Sequence, residues 1–255
     1  MHVLLIIVTL FLSSLTWAGT AIGTVSQLEG KAQRVNSQGK HLIKLGEDIE
    51  EGDEIQTLSD SHVQIHFNDE AYIAIRPNSR LRIDSYRVTD VDQSNSLFTL
   101  FKGSLRAVTG WVGKTNAAHY RVNTPNATLG VRGTDYETVI ILPEEASEQQ
   151  AAGTYNTVYE GEIVLQAEGK TLNVTPAQAV FAGLGQAPRL LANLPVFLQE
   201  RPKLDERLEA IKPQLQQRIQ LKIQQIQAIK QHIRDRSEQL RQQLPKPMLP
   251  LHRFP

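Results

Sequence analysis

A two-residue hydrophobic period, interrupted and renewed many times, runs from Gly23 to Gly185. In His62-Val63-Gln64-Ile65-His66-Phe67 the apolar Val63, Ile65 and Phe67 share one face of an extended chain. Asn68-Asp69-Glu70 is a turn signal, and Tyr72-Ile73-Ala74-Ile75 resumes the apolar run, so the pair reads as a β-hairpin. Arg80-Leu81-Arg82-Ile83 alternates in the same way. Short strands punctuated by turn residues predict an all-β domain.

Within that domain a short pattern recurs: apolar, charged, Gly, polar, apolar. It appears as Leu28-Glu29-Gly30-Lys31-Ala32, Phe101-Lys102-Gly103-Ser104-Leu105 and Tyr159-Glu160-Gly161-Glu162-Ile163. A glycine inside a strand marks a bulge or a close backbone approach, so these are expected to be bends in a rolled sheet. Another punctuated stretch is Tyr120 to Thr138. Pro125 fixes its own φ and lacks a donor, which suits a strand start or an edge. Gly130 and Gly133 bracket Val131-Arg132, where a bend is expected. Arg132 and Asp135 are near enough in sequence to pair across it, with Thr134 completing the clamp. The alternative is that these charges recognise a carboxylate or a sugar.

Near Pro188 the composition changes. Gln becomes frequent, Gly disappears, and Leu204, Leu208, Ile211, Leu215, Ile219, Ile223, Ile226, Ile229, Ile233 and Leu240 recur at about 3.6 residues, the period of a straight helix. Pro213 is expected to divide a short helix from a long one that begins there, since proline suits a first turn. Pro245, Pro247 and Pro250 close it. The stripe must be covered, because each buried Leu or Ile gains roughly 1.5–3 kcal/mol over an exposed one. Its cover is the β domain, a second copy, or another partner; a membrane surface suits it less, as the polar face is Gln-rich and the stripe lacks Trp and Phe. Residues 199–255 carry twelve basic and six acidic side chains in a chain of zero net charge, so the body is acidic. Docking of tail on body, or an anionic partner for the tail, follows from that asymmetry.

The chain has 255 residues and no cysteine. Residues 3–12 are an apolar run too short to span a bilayer comfortably, and small residues follow at Thr16, Ala18, Gly19 and Ala21. Residues 1–21 therefore read as a secretory signal, cleaved after 18 or 21; the alternatives are an uncleaved anchor or a start codon assigned at the wrong place, since the first two residues carry no Lys or Arg. Enzyme motifs are missing: no G-x-S-x-G, no H-E-x-x-H and no C-x-x-C. Gly113-Lys114-Thr115 lacks the first glycine of a phosphate loop. His62 and His66 on one strand lie about 13 Å apart, too far to share an ion. The acidic run Gly46 to Ile55 lacks calcium-loop spacing. No metal, cofactor or nucleic-acid partner is expected. A carbohydrate-processing enzyme would need two carboxyls facing across a cleft.

Asn123-Thr124-Pro125-Asn126-Ala127-Thr128-Leu129-Gly130-Val131-Arg132-Gly133-Thr134-Asp135-Tyr136 resembles the signature of the FecR-like periplasmic domain. Gly46 to Thr57 is similar to that family's G-x-x-I-x-x-G-D-x-I-x-T segment, and Asp69 to Ser79 to its following strand pair. Phe101 to Leu105 and Tyr159 to Ile163 resemble its later strands. The resemblance implies an all-β roll or solenoid-like sandwich over 22–185 that acts by binding an envelope protein or glycan, without catalytic residues. Its structural motif is Thr124, Pro125, Gly130, Arg132, Gly133, Thr134 and Asp135. The iron-uptake regulators of the family relay a signal to a cytoplasmic anti-sigma segment; no such segment precedes the apolar run here, so a periplasmic module is expected. A linker and short helix over 186–212, a long helix over 213–243 and a Pro-rich tail over 244–255 complete the organisation. Leu215, Ile219, Ile223, Ile226, Ile229 and Ile233 are the expected helix interface, including that of a possible homodimer. In the alternative role, a structural adaptor, the helix is the functional part.

Overall fold

The computed structural model describes residues 20–89, 93–115, 117–199 and 203–243. The expected leader lies outside these residues except at its last two positions, and the expected tail lies wholly outside them. Eight strands come first: β1 (Ala21–Glu29), β2 (Ala32–Asn36), β3 (Gly39–Leu42), β4 (Asp48–Glu50), β5 (Glu54–Thr57), β6 (His62–Phe67), β7 (Tyr72–Ile75) and β8 (Arg80–Arg87). The long β9 (Asn95–Val108) leads into a short helix α1 (Trp111–Thr115), then β10 (Tyr120–Asn123), β11 (Thr128–Ile141) and β12 (Gly153–Ala167). After β13 (Lys170–Val174), β14 (Ala179–Gly183) and β15 (Arg189–Leu190), helix α2 runs from Lys203 to Gln243.

All fifteen strands belong to one connected sheet, whose main path is β15-β14-β12-β11-β10-β9-β7-β6-β1-β4. The expected β6–β7 hairpin forms, pairing Val63 with Ile75 and Ile65 with Ile73. Strand pairs are antiparallel except β9 with β10. The sheet rolls around one core that includes Ile49, Ile55, Ile65, Ile73, Leu81, Leu129 and Ile163. The rings of Phe67, Tyr86, Phe98 and Tyr120 run through it, with centroids 4.5, 5.8 and 5.7 Å apart in that order.

The three recurring glycines are bends, as their pattern predicts: Gly30, Gly103 and Gly161 have φ of 68°, 78° and 83°. In the long strands each bend also changes which residues face inward. β9 sends Phe98 and Leu100 to the core before Gly103, then Leu105 and Ala107 after it. β11 sends Leu129 and Val131 inward, then, past an irregular register between Arg132 and Asp135, Tyr136 and Ile140. β12 switches from Val158 to Ile163 and Leu165 across Gly161. An extra residue in a strand offsets the two-residue alternation by one, so the opposite set of side chains turns outward. The bends of β11 and β12 are adjacent in space, because a Cβ on Gly161 would lie 2.4 Å from the Gly133 carbonyl oxygen.

Two boundaries differ from those expected. The sheet domain does not end at Gly185: β15 pairs with β14, and Leu198 is buried with Ile141, Tyr155 and Phe181. The segment 186–199 has no regular hydrophobic period, so its Leu and Phe residues gave no sign of docking. The helix does not break at Pro213, which lies inside α2. Pro213 is exposed, on the side away from Leu208, Leu215 and Ile219. Proline in a helix interior costs about 3 kcal/mol, less than the summed burial of the apolar residues on either side of it.

Gly161→Ala is expected to destabilise the domain by about 2 kcal/mol or more, from a left-handed φ combined with a backbone clash. A urea titration should show a lower midpoint at unchanged slope. An unchanged midpoint would contradict the bend's steric requirement.

Candidate functional site

The motif folds as β10, a tight turn and β11. Thr124 N–H donates to the Ala127 carbonyl at 2.9 Å, and Ala127 N–H donates to Thr124 Oγ1 at 3.0 Å. Pro125 therefore sits exposed in the turn, where its fixed φ is useful, and not at a strand start or edge. Gly133 adopts φ of 60° at the irregularity in β11. Thr134 fastens that point on both sides: its N–H donates to Thr109 Oγ1 at 2.8 Å, and its hydroxyl to the Glu162 carbonyl at 2.8 Å.

The expected Arg132–Asp135 clamp does not form. Arg132 is exposed, whereas Asp135, on the same outer face but past the irregularity, is buried. Its partner is Arg106 of β9, which has no exposed surface. Arg106 donates through Nε and Nη2 to the two Asp135 oxygens at 2.9 and 2.7 Å, a bidentate fork. The Arg106 guanidinium also lies 4.6 Å from the centroid of the Tyr159 ring. Beside it, Arg76 Nε donates to Glu137 Oε1 at 2.9 Å, and the Tyr159 hydroxyl donates to Glu137 Oε2 at 2.8 Å. These are residues the bends have turned away from the apolar core.

Helix α2 covers this polar floor. Glu209 accepts from Arg106 Nη2, and Lys212 Nζ donates to Asp135 Oδ2 at 2.6 Å. Lys212 also lies 3.4 Å from Glu160, to which Gln216 donates at 2.9 Å. Farther along, Arg218 pairs with Glu70 at 3.0 Å. Burial lowers the Lys212 pKa, but the hydrogen bond and charge of Asp135, with Glu209 and Glu160, outweigh it and hold the pKa above the ordinary lysine value. Glu209, Lys212 and Gln216 are three and four residues apart and so share one strip of the helix.

Next to that strip is the apolar seat. Leu208 and Leu215 are buried with Val108, and Ile211 and Tyr72 pack beside them. Ile219 is buried against Trp111 and Val112, flanked by Ile223 and Ile226. Asp69 builds the far end of the seat: its carbonyl accepts from Trp111 N–H at 3.0 Å, its carboxylate from Val112 N–H at 3.3 Å and from the Tyr86 hydroxyl. Of the six expected interface residues, Leu215 and Ile219 are fully buried, and Ile223 and Ile226 are partly so. Ile229 and Ile233 are each 60% exposed, and Leu240 is 57% exposed. The helix outruns its seat by 17 residues, Gln227 to Gln243, about 25 Å at 1.5 Å per residue.

Arg106, Glu209 and Lys212 escaped the sequence reading. A charge inside the apolar end of β9, Leu105-Arg106-Ala107-Val108, was the available signal. His62 and His66 are both on β6, as expected, and His66 pairs with Glu70 and stacks on Tyr72. No group of three or more metal-binding side chains occurs among the described residues. No helix among them is long and apolar enough to cross a membrane.

Residues 53–164 match the family model described as FecR protein. Two solved structures of a candidate anti-sigma factor from Parabacteroides distasonis ATCC 8503 are similar to the chain at 12% identity and a TM-score of 0.42, over 56% of this chain. The chain spans 60% of the length of those structures. A structure described as a cell surface anchoring domain is similar at 30% identity and a TM-score of 0.24, over 24% of this chain and 83% of its own. No curated protein matches the chain significantly.

Asp135→Ala would take from the buried Arg106 its bidentate carboxylate, at an expected cost of about 3 kcal/mol or more, read as a lower melting temperature. A melting temperature equal to wild type would contradict the clamp. For Lys212 the native pKa is raised, so its contribution is complete below the ordinary lysine value of about 10.4 and is lost as pH rises through the native value. Stability should therefore fall in that alkaline window, and by less in Lys212→Met, in parallel thermal melts.

Proposed function

Since residues 53–164 are a FecR domain, we propose that this chain is a non-enzymatic interaction module of the cell envelope, exported to the periplasm. In this reading the β roll is a platform and α2 is a fixed arm that engages a protein partner beyond the platform's edge. One observation carries it. A single apolar stripe is buried as far as Ile219, half-buried to Ile226, and then continues uncovered through Ile229, Ile233 and Leu240. A helix that served only to close its own domain would gain nothing from apolar residues past the seat. Intramolecular docking and partner binding, alternatives in the sequence, are thus combined here along one helix.

The overhang between Ile229 and Leu240 is flanked by Lys230, Arg234, Arg236 and Arg241 against Asp235 and Glu238. Its positive balance favours a partner whose apolar groove has an acidic rim. Two overhangs side by side would bring like charges together, which weighs against a homodimer through this segment alone.

Ile229→Asp with Ile233→Asp is expected to leave the melting temperature within about 0.5 kcal/mol equivalent, since both positions are exposed. The same variant should lose the partners captured by wild type from an envelope extract. Capture unchanged by the double substitution would sink the arm reading. Light scattering at rising concentration checks self-association, and wild type should stay monomeric. Cell fractionation tests export: the expected mature chain is periplasmic and lacks its leader, and a full-length cytosolic chain would refute that placement.

A further inference from the structure

On the sheet half before the bends, away from the helix, two depressions of about 410 and 380 Å³ share Ala118 and Arg121 and form one groove. Strands β9 to β12 supply its bed. Register sets Arg121 between Leu97 and Gly130, and Gly130 beside Val164. Arg132 lies two residues beyond Gly130 on the same face, its Cα about 8 Å from that of Arg121 by strand geometry. Both arginines are exposed, and neither guanidinium makes a hydrogen bond or ion pair among the described residues.

Gly130 is the telling position. Its φ is not left-handed, and an added Cβ would meet only Val164 atoms, at 3.8 Å or more. Backbone sterics therefore do not require glycine there, although glycine in a strand interior costs roughly 0.5–1 kcal/mol relative to alanine. The remaining use of a glycine at such a place is to keep the surface open to something that approaches closely. The floor it opens, with Leu97 and Val164, is apolar, and Asn95, Thr128 and Gln166 line the same groove with amide and hydroxyl groups.

We propose that this groove binds an acidic glycan, a carbohydrate bearing carboxylates. The apolar floor around Gly130 takes the C–H face of a sugar ring, the amides and hydroxyl pair with its hydroxyls, and Arg121 and Arg132 fork onto its carboxylates. An extended acidic peptide fits less well. β10 is paired on both sides by β9 and β11, and β11 by β10 and β12, so no free strand edge is present to receive a peptide backbone. A single-stranded nucleic acid would want a row of aromatic platforms, and the groove lining offers one ring, that of His119. Glu162 lies opposite Arg132 in the register and offsets part of its charge, which makes Arg121 the stronger anchor. The site is independent of the helix arm and does not require it.

Calorimetry of the full chain with hexagalacturonate, cellohexaose and hexaglutamate tests the assignment. Hexagalacturonate should bind, and the neutral sugar and the acidic peptide should bind at least about tenfold more weakly. Arg121→Ala should weaken hexagalacturonate by about tenfold or more, and by more than Arg132→Ala does. Gly130→Thr should abolish binding while the melting temperature holds or rises, because a β-branched residue suits a strand with room for it. No binding of hexagalacturonate, equal binding of hexaglutamate or cellohexaose, or indifference to all three substitutions would each overturn the proposal.

Discussion

A fully buried arginine is costly unless its charge and its donors are met, and Arg106 is met by Asp135. That pairing depends on two irregularities far apart in sequence. Gly103 turns Arg106 away from the apolar core, and the Gly133-Thr134 irregularity does the same for Asp135. Had either strand kept its two-residue alternation, one partner would have pointed into the core and the other out of it. The bends in β9, β11 and β12 are therefore a single device. They make one face of three long strands apolar on the inside and ionic on the outside, and the ionic side is the surface that α2 covers.

Much of this was legible beforehand. The strand alternation, the hairpin at Asn68-Asp69-Glu70 and the bends at Gly30, Gly103 and Gly161 follow from local pattern, because a local rule is all they need. The partner of Asp135 was not legible. Arg132 was the near candidate in sequence, but it stays exposed on the open half of the outer face, and nothing nearby signals Arg106, twenty-nine residues earlier. Pro213 misled for a related reason. Proline's cost is local and visible, whereas the apolar seat that offsets it is built by Val108, Trp111 and Tyr72, far away in the chain. Gly130 looked like part of a bend, yet it has an ordinary strand backbone, and only the missing left-handed φ reveals that its role is on the surface.

The two halves of the roll offer different chemistry because of the same bends. Beyond them the outer face is covered by the helix and its charges are neutralised in pairs. Before them the outer face is open, and Arg121 and Arg132 remain without protein partners among the described residues. A structural arginine is expected to resemble Arg106, buried and forked onto a carboxylate. Arg121 and Arg132 resemble it in neither respect, and that contrast within one sheet separates the clamp from the groove.

The mixed nature of the helix seat also determines how far the arm reaches. An apolar stripe that repeats every three or four residues is nearly degenerate: slid by one turn, Ile211 would enter a place meant for Leu208, at small cost. Charges break that degeneracy. Lys212 reaches Asp135, Glu209 reaches Arg106 and Arg218 reaches Glu70 in one register, and a slide of about 5.4 Å would strand all three. Arg106 and Asp135 would still hold each other, but Lys212, mostly covered by the roll, would be left without its carboxylate, at a cost above that of an apolar mismatch of this size. The burial of Leu208, Leu215 and Ile219 holds the helix down, and the ion pairs choose where along the helix it is held. Because they fix the register, they also fix the length of uncovered stripe that starts at Ile229.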